Sequence, residues 1–133
     1  MNYLIDTCIF VEILRGKKPH LLQRMHGLNP ANRISTSTVV HAELWYGFEN
    51  GIQTPEREQQ VIDLLAPFPC WDFDRSIVRT YGKIRAFLSQ LGKQIGGNDL
   101  LIAATALEKN LSVVTDNIKE FERIPGLQCE VWT

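Results

Sequence analysis

Short β-prone runs alternate with amphipathic helical segments along all 133 residues of the chain, and that alternation leaves few architectures open. "NYLID", "NRISTS", "CWDFD", "LSVVTD" and "LQCEVW" read as strands. Between the first two lie "TCIFVEILRG", with Ile9, Phe10, Ile13 and Leu14 at helical spacing and Gly16 as a stop, and "KKPHLLQRMHGL", with Pro19 in its first turn. "VVHAELWYGFENG" carries Val40, Leu44 and Phe48 along one side. "TPEREQQVIDLLAPF" opens on a cap-like Thr54 followed by Pro55. "RSIVRTYGKIRAFLSQLG" places Ile77, Tyr81, Ile84, Leu88 and Leu91 at helical intervals. In "NDLLIAATALEKN", Asn98 stands where a cap is expected, and Leu100, Ala103, Ala104 and Leu107 share a face. "NIKEFERIPG" reads as a turn with a short helix. A strand that returns parallel to its predecessor needs a crossover, usually a helix. The pattern therefore predicts an α/β fold: a three-layer α/β/α sandwich around a central, mainly parallel sheet.

Length and composition agree with a single domain over residues 1–133, long enough to bury a core without disulfides or a structural metal. There is no repeat, low-complexity tract or linker; the 51–56 stretch separates two helices rather than two domains. Fourteen Lys and Arg nearly balance fifteen Asp and Glu, so a nucleic-acid partner has to be met by a local basic patch. The N-terminal "MNYLIDT" lacks the basic and apolar regions of a signal peptide, and no apolar run is long enough for a membrane span. Cys8, Cys70 and Cys129 are odd in number and far apart, without metal-knuckle spacing. They read as reduced thiols of a cytoplasmic protein.

The placing of the acids points to chemistry. In an open parallel sheet, sites form at the carboxyl ends of the strands, where the following helices also begin. Asp6 ends the first strand and Asp116 ends "LSVVTD". Asp99 falls in the first turn of its helix, and Glu43 within the first turn or so of its own, with Thr38 or a later residue as cap. Each has a plain structural explanation by itself: helix dipole for Asp99, cap for Asp6, turn for Asp116, solvated face for Glu43. Together they are predicted to converge, and crowded carboxylates raise one another's pKa unless a cation neutralises them. Hard oxygen donors in an open, hydrated arrangement suit Mg2+ or Mn2+. Such an ion activates water and stabilises charge on phosphorus, which makes phosphodiester hydrolysis the natural reaction.

In order along the chain, "YLIDTCIFVEILRG", "STVVHAELWYG", "IGGNDLLIAATA" and "LSVVTDNIKEFERIPGL" resemble the motifs of the PIN domain, and more narrowly those of the VapC-type toxins of bacterial toxin–antitoxin systems. The resemblance covers essentially the whole chain. It implies a Mg2+- or Mn2+-dependent endoribonuclease in which Asp6, Asp99 and Asp116 match metal ligands and Glu43 matches the helix glutamate of the acidic cluster. Thr7 and Asn117 match positions that support the acids or touch substrate. It also implies a structured RNA substrate such as transfer RNA, a homodimer, and a cognate antitoxin that covers the site. The sequence departs from the family at Cys8, where Asn is usual, at Val40, where Ser or Thr is frequent, and at Asp116, where many relatives have Asn.

Arg15, Lys17 and Lys18 form one candidate group for RNA phosphates, and Lys83, Arg85 and Lys93 another. Trp45, Tyr46 and Phe48 fit base stacking, helical core or a protein interface equally well. His20, His26 and His41 have no ligand spacing. Three other readings compete with the nuclease. A catalytically idle PIN-like binding module is left open by Cys8. A phospho-acceptor domain is disfavoured because "IDTCIF" offers one acid where two are needed. A flap-type DNA nuclease lacks its long insertion.

Overall fold

Leu4 and Ile5 are fully buried, and their strand, β1 (Asn2–Ile5), is the centre of the molecule. The computed structural model describes residues 1–28 and 33–132. β1 pairs in parallel with β2 (Arg33–Ser37) on one side and with β4 (Ser112–Val114) on the other, with Leu4 opposite both Ser35 and Val113. β3 (Cys70–Trp71) lies outside β2 and β5 (Cys129–Glu130) outside β4. The sheet therefore has the order β3-β2-β1-β4-β5, parallel throughout.

Among the described residues seven helices flank it: α1 (Thr7–Leu14), α2 (Pro19–His26), α3 (Thr38–Glu49), α4 (Pro55–Leu65), α5 (Arg75–Leu91), α6 (Gly97–Lys109) and α7 (Ile118–Phe121). The result is an α/β/α sandwich. α1 packs on α2, α3 and α4, while α5 and α6 form the most extensive helix pair. Phe10 and Ile9 of α1, Ile77 of α5, Ile102 of α6 and Phe121 of α7 are fully buried around the strands. α6 is buried more completely than an amphipathic stripe predicts: Ala103, Ala104, Thr105 and Ala106 join Leu100 and Ile102 inside, since small side chains let its backbone approach its neighbours.

Two junctions set the site. At the end of β1 a single residue, Asp6, separates strand from helix and caps α1 by accepting from the Thr7 amide at 2.8 Å. At the end of β2 the cap of α3 is the last strand residue, Ser37, whose Oγ accepts from the Val40 amide at 3.3 Å. This differs from the expected cap at Thr38. Starting the helix at Thr38 moves Glu43 beyond the first turn, and frees the Thr38 hydroxyl to accept from the Phe73 amide at 3.3 Å. The cap of α6 is Gly96, not Asn98. β3 is shorter than "CWDFD" suggested, because Asp74 accepts from the Ser76 amide at 3.0 Å and turns the chain into α5. The expected strand start at Asn32 lies outside the described residues.

Ser37→Ala is expected to destabilise the fold by about 1 kcal/mol through loss of the α3 cap. Urea denaturation reads this directly, and an unchanged midpoint would contradict the capping role.

Candidate active site

Strand register places Asp6 and Thr115 side by side, since Ile5 lies opposite Val114 and the Asp6 amide donates to the Val114 carbonyl at 2.9 Å. Asp6 is only 4% exposed. Its Oδ1 takes the Thr7 amide, and its Oδ2 accepts from the Thr115 hydroxyl at 2.7 Å and from the Cys8 thiol at 3.6 Å. Burial nevertheless raises its pKa. The Thr115, Thr7 and Cys8 hydrogen bonds oppose that rise, and the nearby Glu43 charge adds to it.

Thr7 connects the two junctions. Its hydroxyl donates to Glu43 Oε1 at 2.6 Å, pinning the α3 glutamate against the start of α1. Asp99, the third residue of α6, completes the group. Its pKa is pushed up to about 7, first by burial, then by a proton-sharing contact with Glu120 and by the Asp6, Glu120 and Glu43 charges. Glu120 shifts the other way, held low by its hydrogen bonds to Asp99 and Asn117. The Asn117 amide bridges these two acids, donating to Asp99 Oδ2 at 3.1 Å and to Glu120 Oε2 at 2.7 Å.

Asp6, Glu43, Asp99, Thr7 and Asn117 thus line one open hollow of about 380 Å³, which Cys8 and Arg15 also border. Asp116 does not line it. Its carboxylate faces Lys18 at 3.7 Å, while its backbone amide donates to the Cys8 sulfur at 3.5 Å. Two participants were not anticipated. Thr115, fully buried, holds Asp6, and Glu120 of α7 is tied to Asp99 through the Asn117 amide. The only signal for either lay in the pairing of β1 with β4 and in the turn after Thr115.

The donor chemistry fits a hard divalent cation. Three carboxylates face one hollow, and burial, the contact with Glu120 and the neighbouring acid charges together hold a proton on Asp99 near neutrality. Among the described residues no three Asp, Glu, His or Cys side chains are drawn to ligand distance of a common point. An ion held there would take one or two of the carboxylates and complete its shell with water. Among the basic candidates, Arg15 borders the hollow and Lys18 pairs with Asp116, whereas Arg85 donates to the Tyr81 hydroxyl on α5. None of the three histidines lines it.

Fold and hollow together define a class: a parallel α/β domain of nuclease type, its acids gathered at the carboxyl edge of the sheet. The PIN-domain profile matches residues 3–127, and the chain belongs to the PIN-domain family, within its VapC branch. It is 36% identical to Ribonuclease VapC2 of Rickettsia felis over 99% of this chain and 98% of that one. It is also 36% identical to the tRNA(fMet)-specific endonuclease VapC of Salmonella typhimurium, with the same coverage. In structure it resembles VapBC-1 from nontypeable Haemophilus influenzae, with a TM-score of 0.89 and 31% identity over 99% of this chain and 98% of that one.

Proposed function

We propose that this chain is an endoribonuclease toxin that hydrolyses phosphodiester bonds in a structured RNA and is restrained by a cognate antitoxin. The observation that carries this is the meeting of Asp6, at the end of β1, with Glu43 of α3 and Asp99 of α6 at one open hollow. Transfer RNA is the substrate class suggested by the relative named for tRNA(fMet), and the VapBC assembly supports a protein partner that covers the site. The resemblance further implies a homodimer acting in the cytoplasm. No helix among the described residues is long and apolar enough to cross a membrane. The whole chain is read as one catalytic domain.

Asp6 and Asp99 would hold Mg2+ or Mn2+, with Glu43 beside them; Asp116, turned to Lys18, is left outside that set. When bound, such an ion lowers the pKa of water and stabilises charge on the phosphoryl oxygens. The chain's own groups do the rest. Thr7 fixes one Glu43 oxygen, and Glu43 Oε2 has no hydrogen-bond partner among the described residues. Glu43 is thereby suited to orient and deprotonate the attacking water. Asn117 sets the rotamer of Asp99, and Thr115 that of Asp6. Arg15 offers a cation to phosphate at the rim.

Asp99 has to release its proton to act as a ligand, and its pKa of about 7 sets the window. The affinity for Mn2+ is expected to weaken by about tenfold for each pH unit below 7 and to level off above it. Calorimetric titration at pH 6 and pH 8 tests this, and an affinity independent of pH would remove Asp99 from the ligand set. For the proposed function itself, induced expression without antitoxin is expected to arrest bacterial growth, and Asp99→Asn to grow normally. A folded Asp99→Asn protein that still arrests growth would overturn the site assignment.

A further inference from the structure

Beside the acid hollow lies a second and larger one, about 620 Å³, between α3 and the start of α6. The two share Thr7 and Glu43, so they adjoin at these side chains. Its character differs. Val39, Ala42 and Leu101 supply apolar walls, and Tyr46 stands at its border with 68% of its surface exposed. Trp45, by contrast, lies against the core and packs edge to face with the half-buried Phe48 at 5.7 Å, so Tyr46 is the exposed ring of that trio. Asn98 adds a polar group. Because Gly96 rather than Asn98 caps α6, the Asn98 amide makes no side-chain hydrogen bond among the described residues.

We infer that this hollow is a nucleobase subsite: it takes one unstacked base next to the scissile phosphate, with Tyr46 as its stacking surface and Asn98 as the group that reads its edge. The inference rests on the ribonuclease reading above and adds a specificity element to it. An RNA strand whose phosphate sits among Asp6, Glu43 and Asp99 has to place a neighbouring base within a few ångströms, and Thr7 and Glu43 form the border between the two places. Sequence-specific recognition of RNA works on splayed bases laid against aromatic rings, with hydrogen bonds to their edges. An apolar wall, one exposed phenol ring and one unengaged carboxamide meet those needs. An aliphatic side chain of a protein partner would use the apolar wall but leave the Asn98 donors and acceptor unpaired.

The test has two arms. In the first, Asp99→Asn protein in EDTA is titrated with a single-stranded oligoribonucleotide carrying 2-aminopurine, so that binding is read without cleavage. Adding Tyr46→Ala is expected to weaken binding by about tenfold and to abolish quenching of the fluorophore, with Tyr46→Trp restoring both. In the second, wild type and the Tyr46→Ala and Asn98→Ala single variants act on total cellular RNA in Mg2+, and fragment ends are sequenced. Tyr46→Ala is expected to raise KM with kcat little changed, and Asn98→Ala to flatten the base preference beside the cut. If wild type cuts while both variants keep its KM and base preference, the subsite is refuted, the hollow is left to a protein partner, and the ribonuclease reading stands. If wild type cuts no RNA, the ribonuclease reading fails and the subsite fails with it.

Discussion

Asp99→Asn is expected to lower RNA cleavage by at least about 100-fold while giving a protein that, in EDTA at pH 8, melts no lower than the wild type. The first half follows from losing one carboxylate of the group at the hollow. The second follows from the cost of keeping that carboxylate charged without a cation. Its folded-state pKa is about 7, raised by burial, by the contact with Glu120 and by the Asp6, Glu120 and Glu43 charges. In the unfolded chain it returns to about 3.9. The stability this group contributes is therefore fully present below about pH 4 and is lost as pH rises through 7. The neutral amide has nothing to lose over that range, so its advantage is greatest at pH 8 and shrinks as pH falls toward 4. Asp99 is partly exposed, and solvent screening makes the gain smaller than the full shift implies. Paired melts at pH 8 and pH 5 check it; a variant clearly less stable than wild type at pH 8 would mean that Asp99 is a structural residue.

Thr115→Val is the second large effect. The hydroxyl is fully buried, donates to Asp6 Oδ2 at 2.7 Å and accepts the Asn117 amide at 2.9 Å. Valine fills the same volume but leaves a buried carboxylate oxygen with only the weak Cys8 thiol as donor, and leaves the Asn117 amide unpaired. A loss of about 1–3 kcal/mol is expected in urea denaturation. The Thr115 hydrogen bond is also the largest influence holding the Asp6 pKa down, so the rise of activity with pH should move to higher pH in the variant. Thr115→Ser keeps the hydroxyl and should restore the pH profile. If Thr115→Val leaves both stability and pH profile unchanged, the bridge has no role.

Asp6, Glu43 and Asp99 were legible in the sequence because a single rule, that parallel strands end and their helices begin on one edge, brings distant acids together without knowledge of strand order. The fold class was legible for the same reason: alternation of strand and helix depends on local periodicity. Thr115 was hidden because its partner is fixed by the β1–β4 register. Asp116 and Asn117 were hard to separate because the chain leaves β4 through a side-chain turn, in which the Thr115 hydroxyl takes the Asn117 amide. That turn carries Asn117 into the hollow and leaves Asp116 facing Lys18. Glu120 depends on the same turn, since α7 starts from it. Cys8, read as a departure from the family, retains contacts with both Asp6 and the Asp116 amide, so a thiol substitutes in part for the missing carboxamide.

The measurement that bears most directly on the proposed function is cleavage of total cellular RNA by the antitoxin-free protein, with Mg2+ and with EDTA, beside Asp99→Asn. A discrete fragment that appears with metal, disappears with chelator and is absent from the variant is the predicted result. Folded wild-type protein that yields no metal-dependent fragment would contradict it and leave a PIN-like module that binds without cutting.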